Sequence, residues 1–165
     1  MPKILIIDDL LTPQEFILLK FRGKNPYAPC TMIPNLLRDV LKVTGQDVFE
    51  VDMRWDIMDD DRDFYGIWWG KRREDKWTTT RVKITAQGEQ NVKDKTGDIT
   101  IMIKGYLETR YEYSNFIQKS FWWFFNYMFY YKQRRRYLDF SKDNIYTLRE
   151  KILSMLGISR EEKLL

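Results

Sequence analysis

The chain has 165 residues, 44% hydrophobic and 32% charged, a balance that places it among folded globular domains and against disordered chains. It has no histidine and one cysteine, Cys30, which excludes imidazole catalysis, an intrachain disulfide and a Cys/His zinc centre within the chain. The net charge of +4 is local: residues 116–140 hold five basic residues and one acid, and the rest is neutral with 23 of each.

The length fits one domain over 1–165, with a helical C-terminal region over 115–157. The opening MPKILIIDDLLTPQ lacks the long apolar run and cleavage site of a secretory signal, and a lone cysteine fits a reducing compartment, so a cytoplasmic location is expected. KILII at 3–7, followed by Asp8 and Asp9, resembles the opening of a bacterial receiver domain. That resemblance implies a phospho-accepting aspartate after a first helix. The chain instead has the alternating run GQDVFEVDMRWD there, so the opening reads as a strand or edge segment ending in acids. The pattern leaves open whether 3–22 is strand, helix or both.

Gly23, Pro26 and Pro29 then mark a loop. Over 30–45, Ile33, Leu36, Leu37, Val40 and Leu41 recur at spacings of three and four, which predicts a helix with Pro34 in its first turn and Gly45 at its stop. From 47 the period changes to two. Phe49, Val51, Met53 and Trp55 alternate with Glu50, Asp52, Arg54 and Asp56. Further strands are predicted at FYGIWWGKRR, at WTTTRVKITAQ and at 99–113, separated by polar turns and a long polar loop, GEQNVKDKTGD. In the last strand Ile99, Ile101, Ile103, Leu107, Tyr111 and Tyr113 share a face, and Gly105 interrupts that row, signalling a bulge or a close approach.

These elements predict an α+β fold: an antiparallel meander of four to five strands, covered on one face by a long C-terminal helix and shorter helices. A final helix is expected to begin at Ser141, to use Ile145, Leu148, Ile152 and Met155 for packing, and to stop at Gly157. The order strand, helix, meander, long helix resembles the helix-grip architecture of START-like and Bet v 1-like proteins. The resemblance implies a hydrophobic cavity between helix and sheet, lined here by Phe121, Phe124 and Met128 with Phe49, Trp55, Ile101 and Ile103, and a small apolar ligand or lipid within it.

The segment FWWFFNYMFYYKQRRR carries nine rings in eleven positions and then four cations in five. At 100° per residue, Ile117, Phe121, Phe124, Met128 and Tyr131 form one stripe, expected to face the sheet. Trp122, Phe125 and Phe129 form a second stripe, and Trp123 and Tyr130 lie on a third side. Rings left outside would expose roughly 500 Å² or more, at or above the largest patch of a typical monomer. The chain itself could cover it, as could another macromolecule or a lipid interface. The apolar run is too short to cross a bilayer and has Asn126 at its centre. The leading expectation is a non-enzymatic interaction protein that docks through this aromatic- and Arg-rich helix onto a larger macromolecular assembly, one that can contain RNA. Its partner-binding residues are Trp122, Trp123, Phe125, Phe129 and Tyr130, with Lys132, Arg134, Arg135 and Arg136 for an acidic partner. The partner is a protein or a second copy, with RNA or a ribonucleoprotein also compatible with the charge and a membrane surface as a weaker fit.

No catalytic signature stands out. Asp59, Asp60, Asp61 and Asp63 match no calcium loop and read as a polar turn. Glu50 with Asp52, and Glu108 with Glu112, read as solvated or paired with basic neighbours rather than as acid/base pairs. Cys30 lacks a histidine base and reads as a small buried residue. No cofactor, metal or catalytic residue is expected.

Overall fold

A computed structural model describes residues 1–158. Six strands form one antiparallel sheet: β1 Lys3–Asp9, β2 Ile17–Lys24, β3 Val48–Trp55, β4 Asp61–Arg73, β5 Thr78–Asn91 and β6 Thr96–Glu112. The last four run as a meander. Both N-terminal strands pair with the far side of β6, β2 along Thr96–Ile103 and β1 along Tyr106–Glu112. The segment left open by the sequence is therefore two strands, and the sheet exceeds the expected four to five. The expected long loop at 88–98 is mostly strand. Gly88 and Gly97 lie where a Cβ would meet the backbone carbonyls of Asp98 and Glu89 at 2.1 and 1.9 Å, so β5 and β6 stay paired close to their turn.

Helix α1 (Ala28–Leu41) begins two residues before the predicted start, with Pro29 in its first turn and Pro34 inside it. It ends on Lys42 in the left-handed region instead of at Gly45. All five of its predicted apolar positions are buried. Helix α2 (Phe116–Phe125), a single π turn (Asn126–Tyr130) and helix α3 (Tyr131–Met155) follow one another without a break. Ser141 is thus no cap. It lies buried in mid-helix, where its hydroxyl pairs with that of Thr80 at 2.7 Å. Gly157, with φ +70°, takes the expected place at the stop.

The core lies on one face of the sheet. Val82, Ile84, Ile99, Ile101, Ile103 and Leu107 meet Ile33, Leu37 and Leu41 of α1 and Ile145, Leu148 and Ile152 of α3. Leu153 and Leu156 are buried where Met155 was expected. Gly105 is the close approach and not a bulge: its register with Val82 is regular, and a Cβ there would come within 2.3 Å of Ile145 Cδ1. In β3 a bulge between Glu50 and Asp52 shifts the alternation. Val48 and Met53 pack on the core and Trp55 meets Tyr27 and Phe64, whereas Phe49 and Val51 are exposed on the outer face, against the sequence expectation.

Candidate interaction surface

The aromatic helix starts on a well-built cap. Asn115 accepts a hydrogen bond from the backbone N–H of Gln118 at 2.8 Å, and Gln118 Oε1 accepts in turn from the N–H of Ser114 at 2.8 Å. From there one row faces the sheet: Trp122, Asn126, Tyr130 and Arg134, all buried. A spacing of four throughout drifts about 40° per step on an α-helix. The π turn at Asn126–Tyr130 takes up that drift and keeps the row on the sheet.

Each member of the row except Asn126 has a specific partner. Trp122 stacks on Tyr111 at 5.0 Å between ring centres and covers Ile4. Tyr130 meets Trp77 edge-on at 5.1 Å. Its hydroxyl donates to Asp75 at 2.8 Å and lies 2.5 Å from that of Thr78. Thr78 pairs with Thr109 at 2.9 Å. Burial, with the Asp75 carboxylate adding to it, raises the Tyr130 phenol above its ordinary value of 10.0. Arg134 forms an ion pair with Asp8 of β1.

The stripe expected to face the sheet therefore faces outward. Phe121 is 69% exposed, and Ile117, Phe124, Met128 and Tyr131 are exposed with it. The apolarity of that stripe misled the assignment. Beneath this helix lie Thr78 and Thr109 of the sheet, Asp75 of the β4–β5 turn and Asp8 of β1, and they draw the Tyr130 hydroxyl and the Arg134 guanidinium inward. Of the expected partner-binding residues, Trp122, Tyr130 and Arg134 are corrected: they are enclosed by the protein's own chain and paired there. Trp123, Phe125 and Phe129 are exposed, as are Lys132, Arg135 and Arg136. Phe116 and Tyr127, at 79% and 82%, join them without having been singled out. No acid occurs between Glu112 and Asp139.

The seven residues of the expected cavity do not surround one space. Ile101 and Ile103 are sealed in the core, Trp55 lies at its rim, Phe49 is on the opposite face, and Phe121, Phe124 and Met128 point away from the sheet. Five of the candidate acids are engaged elsewhere. Glu50 accepts from Trp68 Nε1 at 3.1 Å, Asp52 pairs with Arg54, and Glu108 pairs with Arg81 and Arg110. Asp60 pairs with Lys93, and Asp61 accepts from Asn91. Among the described residues no three potential metal-ligating side chains converge. Cys30 is buried, which pushes its thiol up to about 12. Among the described residues no helix is long and apolar enough to cross a membrane.

No known family and no curated protein matches the chain. Among solved structures, a Staphylococcus aureus protein of unknown function is similar over 89% of this chain and 97% of its own, at 9% identity and a TM-score of 0.29.

Proposed function

We propose that this is a non-enzymatic docking protein, and that its aromatic helix inserts into a groove of a protein partner whose rim is acidic. One observation carries the reading. Ten large apolar side chains between Phe116 and Tyr131 are exposed along ~24 Å of helix. At ~200 Å² for each side chain when fully exposed, their uncovered surface is on the order of 1,000 Å². A typical monomer's largest patch is ~300–600 Å², and one side of a standard protein interface is ~800 Å².

The shape and charge of the surface favour a protein over the alternatives. Rings lie on both flanks of the helix as well as its crest: Phe125 leans on Trp77, and Trp123 stands beside β1. A planar lipid surface reaches the crest alone, unless it also buries the charged β4–β5 turn at Lys76 and the end of β6 at Glu112. A concave partner reaches all three sides. Exposed Lys132, Arg135 and Arg136 follow the rings with no intervening acid, and Lys119 lies over Tyr113 near the start of the helix, which calls for acidic groups on the rim. The withdrawal of Arg134 into its pair with Asp8 weakens the case for a phosphate clamp.

A photo-crosslinking residue at position 121 or 124, compared with one at 85 on the outer face of the sheet, tests this. The expected result is one protein captured from the ridge positions and not from 85. Binding to that purified protein then weakens roughly thirtyfold when Phe121 and Phe124 are both changed to Ser. Ridge-dependent binding to anionic vesicles or to single-stranded RNA, with no protein adduct, contradicts the proposal.

A further inference from the structure

The sheet has three unpaired edges among the described residues, on β1, β2 and β3. An open edge invites another strand, and proteins protect such edges with bulges or charges. Strand β3 has a bulge and carries Asp52 and Arg54. Strand β2 places Lys20, Arg22 and Lys24 at alternate positions, so two copies of it repel one another. Strand β1, KILIIDD, has neither device. Its charges sit only at its ends and are opposite in sign, and its centre is Leu5-Ile6-Ile7, with Leu5 and Ile7 exposed.

We propose that β1 pairs antiparallel with β1 of a second copy of this chain, about a two-fold axis at Ile6. In that register Lys3 stands opposite Asp9 twice, and Leu5 stands opposite Ile7 twice, on the outer face of the sheet. On the outer face β1 is thus complementary to itself in both charge and apolarity; on the helix side Ile4 stands opposite Asp8, whose carboxylate is already held by Arg134 of its own chain. On the helix side Ile6 meets its own counterpart, beside a groove of about 300 Å³ between β1 and the helix. Two buried side chains that line this groove, Asn126 and Arg134, each keep a polar atom without a partner, Asn126 Oδ1 and Arg134 Nε. The pairing joins two six-stranded sheets into one and takes the flank of the helix at Trp123. It leaves the crest at Phe121 and Phe124 and the flank at Phe125 free, so in the dimer the ridge's protein partner reaches two sides of the helix instead of three, and the tests below separate the two contacts.

Sedimentation of the purified chain over a range of concentrations reads the assembly. The expected result is a reversible dimer. Ile7→Lys, at a site exposed in the monomer, makes it monomeric. Lys3→Asp and Asp9→Lys each set like charges opposite one another and weaken the dimer roughly tenfold, and the two together restore it. In a Cys30→Ser background, Ile6→Cys oxidises to a covalent dimer while Val51→Cys in β3 does not. A chain monomeric throughout, with no trapping at position 6, overturns the proposal. So does a dimer that resists Ile7→Lys, or one dissolved by Phe121→Ser with Phe124→Ser, which would put the dimer contact on the ridge instead.

Discussion

The same face of one sheet is covered in two different ways. Over its middle, α1 and the C-terminal half of α3 press Ile33, Leu37, Ile145, Leu148 and Ile152 into an apolar core and turn polar residues outward. Toward the end of the sheet where β1 pairs with β6, α2 and the π turn hold on by a single row of polar-tipped side chains and turn their rings outward. The first region has the amphipathicity of an ordinary surface helix, and the second inverts it. Burial of apolar area stabilises the first. The second is held by one small aromatic cluster and a few hydrogen bonds, and most of its apolar area is left uncovered. A monomer's own stability explains the first arrangement but does not explain the second.

The largest effect that separates the two regions is expected in the core. Leu148→Ala leaves a void under a fully buried position and should cost ~2–5 kcal/mol in chemical denaturation. Next comes the anchor of the aromatic helix. Arg134→Met removes the partner of Asp8 in β1 and should cost ~1–2 kcal/mol, less than a fully buried pair because Asp8 keeps a third of its side chain in solvent. The loss should be accompanied by faster hydrogen exchange over 3–9 than over 145–155, which places the damage at the β1 end.

Much of the first region was legible in the sequence and little of the second was. The α+β class, the meander, the apolar positions of α1 and the packing of Ile145, Leu148 and Ile152 follow from periodicity, because apolar area alone decides those contacts. The close approach at Gly105 was also signalled, by the gap in an otherwise regular row. Periodicity failed at the aromatic helix because nearly every position there is apolar, so apolarity could not rank the faces. What ranked them was Thr78 of β5 and Asp75 of the turn before it, 52 and 55 residues from Tyr130 along the chain, and a π turn that no 100° projection contains. The bulge in β3 hid because the alternation from Phe49 to Asp56 is unbroken in the sequence; what turns Phe49 outward and Glu50 inward is a contact with another strand, where Glu50 accepts from Trp68 Nε1.

A smaller effect should appear at Tyr130. Tyr130→Phe keeps the ring on Trp77 but leaves Thr78 and Asp75 a partner short, at ~1–2 kcal/mol. The phenol's pKa is raised in the folded state, so the folded protein favours the protonated form. The stabilisation it gives is complete below pH 10 and declines as the pH climbs past the ordinary phenol value toward the folded one. The wild-type chain should lose stability over that alkaline range more steeply than the Tyr130→Phe variant, as followed by denaturant midpoints at successive pH values.

The smallest expected effect on folding is the most informative. Phe124→Ser, at the crest of the ridge, should leave the unfolding free energy within ~0.5 kcal/mol of wild type, because the ring touches water and not the core. Denaturation of Phe124→Ser beside Leu148→Ala therefore tests the central claim most directly. An unchanged midpoint for the first and a large drop for the second is the predicted outcome. A drop at Phe124 comparable to that at Leu148 would mean that the chain already shelters its own ridge and has no apolar surface left to offer a partner.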